Sequence, residues 1–129
     1  MPKTPRNIHL SELQLAVMRA LWTRGEAATS EVATDLAAQR GLAPTTVATL
    51  LTRLERRGVV TQRREGRTWI YRAAVSESEV RLSMVAGLVA TLFKGEAAAL
   101  VAHLVRAEEV APGDVAKIRA RLLKVSRRD

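Results

Sequence analysis

Apolar and polar positions alternate along the chain with two different periods. Ser11 followed by Gln14 forms a capping-box pattern. Leu13, Val17 and Leu21, with Leu10 and Ala20 beside them, then keep a helical spacing as far as Gly25, which predicts a first helix over 11–23. Thr29 or Ser30 opens a second helix with Val32, Leu36 and Ala37 as its apolar stripe and Gly41 as its stop. Pro44 suits the first turn of a third helix, with Val47, Leu50, Leu51 and Leu54 facing inward and Gly58 ending it. Beyond Gly58 the period falls to two. Residues 59–64 and 67–72 read as the arms of a β-hairpin turning at Glu65-Gly66. Its second arm puts Trp69 and Tyr71 on one face and Ile70 on the other. Ile70 is expected inward, with Trp22 nearby.

After a connector at Ala73-Ala74-Val75, Ser76 caps a fourth helix with Glu77 and Glu79 in its first turn and Val80, Met84, Leu88 and Leu92 as its apolar positions. Gly95 interrupts. A fifth helix over 96–107 presents Leu100, Val101, Leu104 and Val105, and Ala111-Pro112-Gly113 breaks the chain again. Val115, Ile118, Leu122 and Val125 then recur at the three-four spacing of a coiled-coil seam. The expected fold is mainly α with a small β-hairpin wing: a winged helix-turn-helix over 1–75 and a helical region over 76–129. The second region is too short to bury its own apolar faces well. It reads as a dimerisation module, with an independent marginal bundle as the alternative. Met84, Leu88, Leu92, Leu100, Val101, Leu104, Ile118 and Leu122 are its candidate contact residues.

Composition narrows the function. The 129 residues carry 21 Lys+Arg against 13 Asp+Glu, and aromatics are only 3%, so the core must be built from Leu, Val and Ala. There is no cysteine, which excludes disulfides, thiolate metal sites and a cysteine nucleophile. The longest apolar run, Met84–Phe93, has ten residues, short of the roughly 20 a bilayer crossing needs. The first residues show no apolar signal core, so a soluble cytoplasmic chain without membrane contact is expected. His9 and His103 have no acidic or cysteine neighbour at a metal-ligand spacing. No HExxH, G-x-S-x-G or glycine-rich phosphate loop occurs, and Glu108-Glu109 reads as a solvated pair. No enzyme, metal or cofactor is indicated.

Residues 1–75 hold 12 basic and 6 acidic side chains, and seven arginines fall between Arg53 and Arg72 against Glu55 and Glu65. Such clustering is the footprint of a phosphate-binding surface. A solvated basic face and an anionic membrane surface are the alternatives, and the second would favour a basic amphipathic helix instead. Thr45, Thr46, Ala48, Thr49, Thr52, Arg53 and Arg56 face outward on the third helix. Threonine is a mediocre helix former, so four on one exposed face carry a cost that a plain surface has no reason to bear. In a major groove their hydroxyls pair with base edges and their methyls meet thymine methyls. Arg53 reaches a base or a phosphate there, whereas Arg56 and Arg57 suit phosphate or cap carbonyls. Arg63, Arg64 and Arg67 suit phosphate or minor-groove contact by a wing, and Trp69 and Tyr71 read as packing residues.

Taken together, Leu13–Trp22, Gly41–Val47, Leu50–Gly58, the wing Arg64-Glu65-Gly66-Arg67 with Tyr71, Val75-Ser76, and Leu92–Gly95 with Leu100-Val101 resemble the BlaI/MecI/CopY (penicillinase repressor) family of bacterial winged-helix repressors. The resemblance spans nearly the whole chain. It implies a homodimer that binds a double-stranded, dyad-symmetric operator and blocks transcription. Thr45, Thr46, Thr49 and Arg53 match the recognition helix of that family, and Arg63, Arg64 and Arg67 match its wing. Copper-responsive members carry a C-terminal cysteine motif that this chain lacks. The β-lactam-responsive members are inactivated when a regulatory protease cuts an Asn-Phe bond. The corresponding bond here is His103–Leu104, so induction by the same protease specificity is not expected, and a regulatory protease of different specificity is the alternative partner that could use it. Other readings of the residues are a winged helix used for protein interaction, a non-specific architectural DNA binder, and a regulator with a small-molecule pocket in its C-terminal helices.

Overall fold

The computed structural model describes residues 8–106, with Lys117 and Ala120 as isolated helical positions beyond them. The chain divides into two compact units between Met84 and Val85. The first contains α1 (Glu12–Arg24), β1 (Glu26–Ala28), α2 (Thr29–Arg40), α3 (Pro44–Arg56), β2 (Val60–Glu65) and β3 (Thr68–Ala73). α4 (Glu77–Leu92) spans the division, and α5 (Ala97–Arg106) lies in the second unit. The division falls inside α4, and Val80 is buried and Met84 partly buried against the first unit's core.

Local chemistry explains most helix ends. Ser11 accepts from the Gln14 amide at 3.1 Å, and the Gln14 side chain accepts from the Ser11 amide at 2.9 Å, closing the expected capping box. Ser76 and Glu79 repeat it at the start of α4. α2 has only half of one: Ala28 offers no capping oxygen, and Glu31 accepts from its amide at 2.9 Å. Gly41 ends α2 at φ 67°, a left-handed conformation that glycine adopts without a Cβ clash. Pro44 occupies the first turn of α3 as expected.

The core of the first unit joins the inner faces of α1, α2 and α3. Val17, Met18, Leu21, Val32, Leu36, Val47, Leu51 and Leu54 are all inaccessible to solvent or nearly so. Leu13 and Ala37, expected in those stripes, are exposed; Ala16, Met18 and Ala33 are buried instead. The N-terminal segment closes one end. Ile8 and Leu10 are buried, the Ile8 amide donates to Ser83 Oγ at 2.8 Å, and Arg57 Nη2 donates to the His9 carbonyl at 2.8 Å. Arg57 is therefore engaged with the fold's own backbone, close to α1 and at the foot of α3.

The sheet departs from expectation in three ways. It has three antiparallel strands in the order β1-β3-β2, because Glu26–Ala28 pairs with Arg72–Ile70. The hairpin loop is Gly66-Arg67 rather than Glu65-Gly66, since Glu65 pairs with Thr68. A positive φ of 63° at Gly66 alone suits a two-residue hairpin loop with glycine first. Finally, Tyr71 rather than Ile70 faces the core: Tyr71 is 6% exposed, beside Ala27 and Val60 on the inner face. Ile70, on the opposite face, is only partly covered. Burial, with the negative charge of Glu55 second, raises the Tyr71 phenol above its ordinary pKa. Trp22 is placed elsewhere, its Nε1 donating to the Val75 carbonyl at 2.9 Å at the exit from β3.

Arg24 grips Asp35 through Nε (2.7 Å) and Nη2 (2.8 Å), fastening the end of α1 to α2. This paired hydrogen bond, ahead of the opposing desolvation, lowers the Asp35 pKa. A lowered folded-state pKa stabilises the fold above the ordinary aspartate value near 4, and that contribution is lost as pH falls through the lowered value. Asp35→Asn should therefore cost up to about 1 kcal/mol at neutral pH. In urea unfolding across pH, the variant and the parent should converge under acid. A gap of constant size would show that charge is not its source.

In the second unit, Phe93 and His103 approach with ring centroids 6.1 Å apart, and α5 has no buried residue. Among the described residues, no single helix is long and apolar enough to cross a membrane. Ile118, Leu122 and the rest of the expected last helix lie outside the described residues.

Candidate nucleic-acid interface

α3 divides cleanly by face. Val47, Leu50, Leu51 and Leu54 are buried, whereas Thr45, Thr46, Thr49, Thr52, Arg53 and Arg56 are exposed and Ala48 is partly so. Packing thus fixes the helix from behind and leaves a convex outer surface of small side chains edged by two guanidiniums. A helix of that diameter, with short side chains along its outer face, fits a B-form major groove.

The threonines are not equivalent. Thr49 Oγ1 donates to the Thr45 carbonyl at 3.0 Å, and Thr52 Oγ1 donates to the Ala48 carbonyl at 2.9 Å. Those hydroxyl hydrogens are committed, so what Thr49 and Thr52 present outward is oxygen lone pairs and a methyl. Thr45 and Thr46 have no hydroxyl partner among the described residues and keep both donor and acceptor capacity.

The wing separates its arginines in the same manner. Val60, Gln62 and Arg64 share the sheet face of Tyr71 and Trp69, and Thr61, Arg63 and Glu65 share the other with Ile70 and Glu26. Arg63 makes two bonds to the Glu26 carboxylate, at 2.9 and 3.1 Å, and a third to Glu65 at 3.1 Å. Its charge is already compensated by carboxylates of β1 and β2. Arg64 stacks over Trp69, with Cζ 5.5 Å from the ring centroid, and its Nε donates to the Gly66 carbonyl at 3.1 Å. Arg67 sits at the loop tip, exposed. Of the expected contact residues, Thr45, Thr46, Thr49 and Arg53 share the outer face of α3, and Arg64 and Arg67 lie free of carboxylates among the described residues. The sequence carries no sign that Arg63 is paired, because Glu26 comes from β1, whose Glu-Ala-Ala composition favours helix. Trp69, expected to pack, is 41% exposed.

The penicillinase repressor family model matches residues 10–124. The chain belongs to the penicillinase repressor family. The methicillin resistance regulatory protein MecI of Mammaliicoccus sciuri is 24% identical over 114 residues, covering 88% of this chain and 93% of MecI. The penicillinase repressor of Bacillus licheniformis is 32% identical over 79 residues, covering 61% of this chain and 59% of that protein. Among solved structures, the DNA-binding domain of the repressor BlaI superposes with a TM-score of 0.53 at 32% identity, over 61% of this chain and 93% of the domain. The monomeric form of B. licheniformis BlaI in complex with the blaP half-operator gives a TM-score of 0.50 with the same identity and coverage. The first unit of this penicillinase repressor homologue is accordingly a winged helix. Among the described residues, no cluster of three or more His, Asp or Glu is placed to hold a metal ion.

Proposed function

We propose that the chain is a dimeric DNA-binding transcriptional repressor that reads a dyad-symmetric operator. The outer surface of α3 carries this reading: four threonines and two arginines exposed on a helix whose opposite face is fully buried. Membership of the penicillinase repressor family supports it, as does similarity to a BlaI form bound to half-operator DNA. α3 enters the major groove, where Thr45, Thr46, Thr49 and Arg53 meet base edges, and Arg64 and Arg67 hold the flanking backbone. Arg63 contributes less, since binding phosphate requires it to leave two carboxylates. The DNA-binding part covers 1–75. The helical part over 76–129 joins two copies and so sets the spacing of the half-sites. No catalytic step or cofactor enters this mechanism, and the protein acts in the cytoplasm.

Induction by cleavage at His103–Leu104 would need a protease that accepts histidine before the bond. His103 is exposed on α5, and Leu104 is partly covered. Copper sensing through thiolates is excluded by the absence of cysteine.

The test is fluorescence anisotropy with a palindromic duplex from the protein's own promoter and a random duplex, each at two salt concentrations. Two subunits per site and a preference of about 10³ or more are expected. Equal, salt-steep binding to both duplexes would leave an architectural protein; binding to neither would favour a protein-interaction module. Thr46→Ala should lower operator affinity about tenfold and leave random DNA unaffected. Arg67→Ala should weaken both and reduce the salt slope by about one. Equal losses on both duplexes for Thr46→Ala would remove it from base recognition.

A further inference from the structure

Tyr71 and Trp69 lie on one sheet face two residues apart, yet only Tyr71 is covered by the helices. Trp69 projects past the edge of the core, so packing of the first unit does not account for its indole. What covers that ring is Arg64. The two residues are direct cross-strand partners, and the guanidinium carbon lies 5.5 Å from the ring centroid. A second contact, from Arg64 Nε to the Gly66 carbonyl, fixes the roll of the guanidinium. Both contacts leave the Nη1 and Nη2 hydrogens unused, and no carboxylate pairs with Arg64 among the described residues. Its neighbour Arg63 is the reverse case, bound by two carboxylates on the other face of the sheet.

We infer that Trp69 is a positioning residue for DNA binding: its ring holds Arg64 so that the free edge of the guanidinium meets a backbone phosphate without first losing rotamer freedom. The inference rests on the DNA-binding reading of the site. An arginine side chain gives up substantial conformational entropy when it is fixed, and ordering it before contact improves affinity with no new contact to the DNA. A planar guanidinium suits this arrangement, since it stacks on an aromatic face while keeping in-plane donors for phosphate oxygens.

The experiment is a double-mutant cycle on the full chain with a random-sequence duplex, titrated between about 50 and 200 mM salt. Trp69→Leu should weaken binding about three- to fivefold with the salt slope unchanged, because the charge still reaches its phosphate. Arg64→Ala should weaken binding further and lower the slope by about one. In the Arg64→Ala background, Trp69→Leu should have no further effect, and Trp69→Phe in the parent should restore most of the affinity. Melting temperatures should agree within a few degrees, as befits exposed positions. An equal loss from Trp69→Leu in both backgrounds would overturn the inference, since the indole would then touch DNA or support the wing by itself. So would full affinity in Trp69→Leu beside a weakened Arg64→Ala. If the parent chain binds no DNA at all, the reading beneath fails and the inference falls with it.

Discussion

Joint replacement of Leu88 and Leu92 by glutamate is expected to yield monomers that bind operator DNA about 100-fold or more weakly, the loss that follows when two half-sites no longer engage together. Within one chain Leu88 is 40% and Leu92 65% exposed, Leu82 and Val85 are exposed as well, and α5 buries nothing. Aliphatic side chains left open along a helix are what a second copy would cover. A charge at such positions costs an isolated chain little, so unfolding of the first unit should be almost unchanged. Met84 provides the contrast. It packs on the core of its own chain, and Met84→Glu should destabilise the first unit directly. Sedimentation velocity decides the matter. A doubly substituted chain that still sediments as a dimer would move the seam elsewhere, with Ile118 and Leu122 the next positions to test.

Leu54→Ala should lower the unfolding free energy by about 2–5 kcal/mol, read from the urea midpoint at unchanged slope. Leu54 is fully buried among the inner faces of the three helices and sits between Arg53 and Glu55 on α3. Its removal leaves a cavity directly behind the outer surface proposed above to meet DNA. Affinity should follow the folded fraction, so at low temperature, with the fold intact, the loss should be only a few fold. A loss of stability below about 1 kcal/mol would mean that the site collapses around the missing atoms.

The helices were legible because each has its own local signals. Ser11 and Ser76 announce their capping boxes, Pro44 and Gly41 bracket the turn before α3, and Val47, Leu50, Leu51 and Leu54 give one unambiguous face. β1 carried no such signal. Glu-Ala-Ala favours helix, and Glu26–Ala28 is extended only because Ala27 finds Tyr71 across the sheet. The facing of β3 differs from the expected one for a related reason. Ile70 is the more apolar residue, but in a short hairpin the core reaches only its root, and there Tyr71 lies inward. At the interface, the threonine face and the arginine-rich wing could be read from one-dimensional spacing. Which arginines were already paired could not, since Glu26 meets Arg63 across 37 residues and His9 meets Arg57 across 48.

The free border of the sheet has a bearing on solubility. β1 is three residues long, and β2, the other outer strand, runs Thr61-Gln62-Arg63-Arg64-Glu65 through its exposed part. A border strand with so many charges and so few apolar residues is a poor template for another strand. If the wing opens transiently, it should not seed fibrous growth.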